Sequence, residues 1–234
     1  MRSVPALGSR GAEMIGCVAF LGPSLPHAEA RMVVGEECEL RPPVKRGDLP
    51  SLPEDVALIA IIDGVFHGEA AVGHREILAR LRNGTEVVGG GSMGALRAAE
   101  LHSLGMKGMG EVFRLYAGGE IEGDDEVALI FDPEGLEALS EPLVNMRYNL
   151  GRAVEGGIIG EGERGEILER LRATFYPRRT IERLLEIAGE LLEGASLSRF
   201  EILVREDYVD IKKEDALEVL RYVRMRSFES HTFP

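Results

Sequence analysis

The sequence predicts an α/β protein: a mostly parallel sheet with helices on both faces, followed by a largely helical C-terminal region. Three observations carry this. The apolar runs at 15–21 and 56–62 are continuous, without the alternation of a strand that keeps one face wet, so both faces are expected to be covered. Helical patterns separate the short strands, as in βαβ units. From Gly160 onward the chain reads as charged helices divided at Tyr176-Pro177, Gly194 and Asp207-Tyr208.

In order, the strand at 15–21 is broken by Gly22-Pro23-Ser24, and residues 26–34 form a short helix entered through proline. Residues 38–41 form a second strand ended by Pro42-Pro43, and residues 56–62 a third, stopped by Asp63-Gly64. Residues 70–82 are amphipathic, with Ile77, Leu78 and Leu81 on one face and Asn83-Gly84 closing the helix. A fourth strand at 86–88 leads through a glycine turn into a helix at 93–103. Beyond Gly105, a short helix at 111–116, an edge strand at 127–131 and a longer helix at 136–154 are expected. Residues 1–13 lack the apolar core of a secretory signal and read as a flexible extension, with Met14 as an alternative start. A boundary at Gly156-Gly157 divides an α/β core (14–157) from a helical region (158–234).

Composition narrows the function. A formal charge of -13 excludes phosphate-backbone binding as the main role, because nucleic-acid binders need a basic face. No apolar run reaches the roughly 20 residues needed to span a bilayer. Cys17 and Cys38 cannot supply a disulfide scaffold or a four-ligand zinc site, so the reducing cytoplasm is the expected compartment. Lysine occurs only at 45, 107, 212 and 213, and arginine supplies the other 23 of 27 basic residues, which makes each lysine worth weighing.

In an open parallel sheet, binding groups gather in the loops at the carboxyl ends of the strands. That edge collects Gly22-Pro23-Ser24, the 42–48 loop with Lys45, Asp63-Gly64-Val65-Phe66-His67 and Gly90-Gly91-Ser92-Met93-Gly94. The last segment supports three readings. Gly90 to Gly94 fits G-x-S-x-G, the turn that lifts a nucleophilic serine between strand and helix. Gly89 to Gly94 fits G-x-G-x-x-G, a pyrophosphate cradle, though on the fourth strand rather than the first. The plainest alternative is a tight turn with Ser92 as helix cap. As nucleophile, Ser92 needs a base, and His102 and His231 are poorly placed for one. Lys45, next to Arg46 in a loop at the same edge, is the economical partner. Gly91, Met93, Ser24, Asp63 and His67 are expected to line the site, with backbone amides near Met93 holding an oxyanion. His74 mimics the H-x-E of zinc deaminases without the companion cysteines, so no metal is expected there. Asp124-Asp125-Glu126 is more simply a solvated acidic turn than a cation site.

These segments, in this order, resemble the TfuA-like proteins. The resemblance runs through Leu21 to Pro26, Pro42-Pro43 with Gly47-Asp48, Ile61 to Phe66, His74 to Leu78, Ser92 to Leu101, Gly105-Met106, Asp124 to Ala128 and Leu139 to Asn145. It implies a cytoplasmic accessory hydrolase for YcaO enzymes, which use ATP to exchange a peptide-backbone oxygen for sulfur. The implied substrate is a thiocarboxylated, ThiS-like sulfur carrier cleaved to release sulfide. The chain itself would need no cofactor, and it would help YcaO engage its peptide or protein substrate. In methanogens the implied product is thioglycine in methyl-coenzyme M reductase. The resemblance attributes a Ser-Lys pair to the family; its serine maps onto Ser92 and its lysine onto Lys45. His74, Glu76, Arg97, Glu141 and Asn145 become candidates for partner binding. The rival readings are a non-catalytic adaptor that docks peptide or carrier onto YcaO, and a nucleotide-binding protein.

Overall fold

The computed structural model describes residues 16–66 and 70–232. Five strands form one fully parallel sheet: β1 (Gly16–Phe20), β2 (Cys38–Arg41), β3 (Val56–Ile61), β4 (Glu86–Gly89) and β5 (Lys107–Gly108). Their order, β2-β1-β3-β4-β5, is doubly wound, reversing direction between β1 and β3. The continuous apolar runs have the expected cause. Cys17, Ala19, Leu58, Ala60 and Val88 face one side, and Val18, Phe20, Ile59, Ile61 and Val87 the other.

Helices α1 (His27–Val34), α2 (Asp48–Ser51), α3 (His74–Arg82), α4 (Met93–Leu101), α5 (Gly110–Ala117), α6 (Leu143–Glu155), α7 (Glu161–Ala173), α8 (Ile181–Leu191), α9 (Gly194–Glu206) and α10 (Ile211–Thr232) complete the described chain. Leu49, Ile77, Met93, Ala98 and Leu101 cover one face of the sheet from α2, α3 and α4. Ala30 and Val34 of α1 cover the other, together with Ala216, Val219, Leu220 and Val223 of α10. Helices α6 to α9 enclose a separate apolar cluster around Leu150, Ile167, Leu184 and Phe200.

The chain past residue 158 is therefore not wholly apart from the core, because α10 returns to the sheet. Glu86 fastens it there, accepting hydrogen bonds from Lys107 Nζ (2.6 Å), Tyr222 and Arg226. The 1–13 extension and His67 lie outside the described residues.

Two expected elements differ. Residues 127–131 make no strand; the edge belongs to β5, whose two residues are too few to leave a sequence pattern. Phe131 instead bridges Ala138 in a short hairpin closed by Leu139 N–H to the Ile130 carbonyl and by Ile130 N–H to Ser140 Oγ. The helix expected from 136 starts at Leu143, because Pro142 holds Glu141 out of helical backbone and itself stands extended at the cap.

Candidate active site

The loops at the carboxyl edge of the sheet meet as the strand order requires. At the reversal point, the Asp63 carboxylate accepts Gly22 N–H (2.8 Å), Ser24 N–H (3.0 Å) and Ser24 Oγ–H (2.6 Å). Ser24 and Asp63 are both buried, so this clasp fills the crevice where ligands of doubly wound sheets commonly sit. The reactive turn lies one strand further along.

Ser92 stands between β4 and α4 and is 2% exposed. Three geometrical facts separate the readings of its turn. Its side chain makes no capping bond; Ala95 and Leu96 N–H go to its backbone carbonyl instead. Among the described residues Ser92 Oγ has no hydrogen-bond partner, and it is not one of the side-chain atoms sealed from solvent. The glycines are roofed by protein. A Cβ on Gly90 would lie 2.7 Å from Val219 Cγ2, and one on Gly91 (φ +72°) 3.1 Å from the Lys212 carbonyl. No space remains over Gly90 and Gly91 for a pyrophosphate.

Two backbone N–H groups near the turn are unpaired among the described residues. Val44 N–H donates to the Asp63 carbonyl and Val65 N–H to the Val44 carbonyl. Gly64 N–H takes no part in this bridge. Contact there is close, since a Cβ on Gly64 would lie 2.6 Å from Met93 Cγ. Neither Gly64 N–H nor Met93 N–H has a partner among the described residues. Together with the α4 N-terminus they have the make-up of an oxyanion hole.

The buried lysine at this turn is Lys212, whose backbone carbonyl packs on Gly91. Lys45 is exposed, and its backbone N–H is held by Asp48 (2.8 Å). Val44 spends the inward direction at this point, leaving Lys45 turned to water without the desolvation a basic amine requires. Lys212 is 2% exposed, and its Nζ donates to the Val127 carbonyl at 2.9 Å. Burial drives its pKa below the usual lysine value, opposed by the charges of Asp63, Asp210 and Glu141. Asn145 Oδ1 accepts the Lys212 backbone N–H (3.3 Å), and Asn145 Nδ2 reaches Glu141 (2.8 Å) and Asp210 (2.9 Å). Burial in turn pushes the Glu141 carboxyl above its ordinary value. Lys107, the other lysine with a close partner near the sheet, is tied to Glu86 at the opposite end of β4.

Lys212 was hidden because the charges after Gly160 read as wet helix faces. A signal existed: 212, 216, 219, 220 and 223 fall on one helical stripe, and every other member is apolar. A lysine on that stripe must enter the core.

The partner-binding candidates all have hydrogen-bond partners within the fold. Asn145 is 1% exposed, and Glu141 also takes a hydrogen bond from Tyr208 (2.9 Å), so these two brace the start of α10. His74 pairs with Glu100 (2.7 Å), as does Arg97 (2.6 Å), and Glu76 accepts Gly47 N–H (3.0 Å). The acidic turn is likewise committed: Asp125 to Arg179 (2.9 Å), and Glu126 to Arg147 (2.5 Å) and Arg172 (3.3 Å). Among the described residues no group of three or more His, Cys, Asp and Glu side chains is placed to hold a metal ion. No described helix is long and apolar enough to cross a membrane.

A cleft of about 380 Å³ opens beside the turn, from Gly64 and Phe66 across to Ala128, Ile130, Phe131 and Tyr176. No curated protein matches the chain. The sequence model of the TfuA-like protein family matches residues 63–180, half the chain, taking in Asp63, the Ser92 turn, the 124–128 segment and Asn145. The chain thus belongs to the TfuA-like family, which is associated with YcaO-dependent thioamidation.

Proposed function

We propose that this protein is a serine hydrolase serving YcaO-dependent thioamidation, which cleaves a thiocarboxylated, ThiS-like sulfur carrier and releases sulfide. The observation that carries the reading is the Ser92 hydroxyl, without a hydrogen-bond partner among the described residues at the N-terminus of α4, with the backbone of the buried Lys212 packed on the same turn. Lys212, whose burial eases the loss of its proton, takes the Ser92 proton as Oγ attacks the carbonyl carbon. Charge gathers on the carbonyl oxygen, facing Gly64 N–H and Met93 N–H. The C–S bond breaks, and the Lys212 ammonium returns its proton to the departing sulfur, which leaves as hydrosulfide. Water, deprotonated by the same amine, attacks the acyl-serine, and collapse yields the carrier carboxylate and restores Ser92. YcaO then uses the sulfide, with ATP consumed by YcaO. Asp63 and Asn145 act as positioning residues, the first by fixing the β1 and β3 loops and the second by fixing the start of α10.

The test is sulfide release from thiocarboxylated carrier by wild type and by Ser92→Ala, with thermal unfolding to confirm the fold. Removal of the nucleophile is expected to abolish turnover above background. Undiminished release by Ser92→Ala would leave the adaptor role, in which the chain only brings carrier or peptide to YcaO.

A further inference from the structure

The cleft beside Ser92 has a composition that the hydrolase reading does not use. Its walls are Phe66, Leu129, Ile130, Phe131 and Tyr176, and Phe175, 65% exposed, packs edge-to-face on Tyr176 at the rim. Both walls come from segments that also build the catalytic centre. One begins at Gly64, which packs against Met93; the other begins at Ala128, directly after the carbonyl that holds Lys212 Nζ. Ser92, Met93 and Lys212 do not line the cleft themselves, so a chain lying in it has its upstream residues there and its terminal carbonyl beyond the Gly64 end. No Lys, Arg or His lines the cleft among the described residues, whereas Asp124 and Asp125 do, and Asp125 is already paired. A volume of about 380 Å³ is far more than a run of glycines fills.

We infer that this cleft is the acyl-recognition subsite of the Ser92 centre: it takes an apolar side chain from the extended peptide segment just upstream of the scissile carbonyl and rejects acidic ones. The inference rests on the hydrolase reading and adds to it a substrate class, a carrier or peptide tail bearing an apolar residue before its terminal glycines. Ile130 and Phe131 select; they take no part in the chemistry.

Synthetic acetyl-tripeptide thioesters test this with the full chain, placing Leu, Ser or Glu in turn at each of the three positions upstream of the thioester. At one position Leu should lower KM about tenfold relative to Ser, with kcat alike and Glu worst. The Ile130→Ser/Phe131→Ala double variant should raise KM for the Leu peptide to the Ser level at unchanged kcat. Tyr176→Ala, at the rim, gives the same direction if the double variant folds poorly. Ser92-dependent turnover with no preference at any position overturns the subsite alone, as does a preference that survives in both variants. Ser92-dependent sulfide release from the carrier without turnover of any peptide overturns the subsite alone, and absence of Ser92-dependent turnover of both carrier and peptides overturns the hydrolase reading with it.

Discussion

Replacing Lys212 with methionine keeps a side chain of similar length on the apolar stripe of α10 and removes the amine. Loss of a general base lowers turnover by about 10²–10⁴-fold, which corresponds to roughly 3–5 kcal/mol of barrier. The fold bears two opposed changes. The Val127 carbonyl loses its 2.9 Å donor, at a cost of about 1–3 kcal/mol, while the penalty for burying an amine disappears. The net effect is small against the roughly 5–15 kcal/mol that holds a domain together, so the variant should remain folded.

Sulfide release measured across a pH series then carries the decision. Burial lowers the Lys212 pKa, so wild-type rate should rise with pH through a midpoint below the ordinary lysine value of 10.5, and the methionine variant should lose that rise. Lys212→Arg, a cation that does not give up its proton, should be as slow as methionine. Stability follows the same sign. Between the lowered folded value and 10.5 the unfolded chain binds more protons, so stability rises with pH across that window and the variant flattens it. An arginine variant with wild-type rate, or an unchanged pH midpoint in Lys212→Met, refutes the assignment of the base.

Four further outcomes are expected. Lys45→Ala should retain wild-type sulfide release within about twofold, since its amine is exposed and takes no part at the turn. Gly94→Ala would place a Cβ 1.7 Å from the Ile61 carbonyl oxygen and dislodge the bond from Gly94 N–H to Ile62, for a loss of about 3–6 kcal/mol in denaturant unfolding. Gly189→Ala, in α8 with nothing within 4 Å, should gain roughly 0.5–1 kcal/mol in the same experiment. Asp215 caps α5 through Glu111 and Val112 N–H (both 2.8 Å), and burial raises its pKa to about 7. A raised carboxyl binds its proton more tightly in the folded state, so this group's contribution to stability falls as pH climbs from 3.8 to about 7. Asp215→Asn should remove that slope in denaturant unfolding followed across a pH series.

What the sequence disclosed follows from what leaves a pattern. Strands β1 and β3 were legible because two-sided burial forces continuous apolar runs, and the loops after them were legible because the parallel order puts them on one edge. The Ser92 turn was found, but motif matching alone left nucleophile, phosphate cradle and cap open; the missing cap bond and the α10 roof are tertiary facts. Residues 127–131 misled because apolar residues that wall a cleft look like those of an edge strand. Lys212 escaped because a lysine near a helix start is ordinarily wet, and only the docking of α10 on the sheet reverses that expectation. Asn145 and Glu141 looked like recognition residues for the converse reason, since nothing local reveals that a distant helix start will bury them.

The return of α10 to the sheet divides the catalytic centre between distant parts of the chain. The serine, its oxyanion donors and both walls of the cleft lie within residues 63–180, whereas the amine arrives from beyond them. On the proposed mechanism, undocking the last helix would part the nucleophile from its base, and it would also uncover the sheet face that Ala216, Val219, Leu220 and Val223 bury.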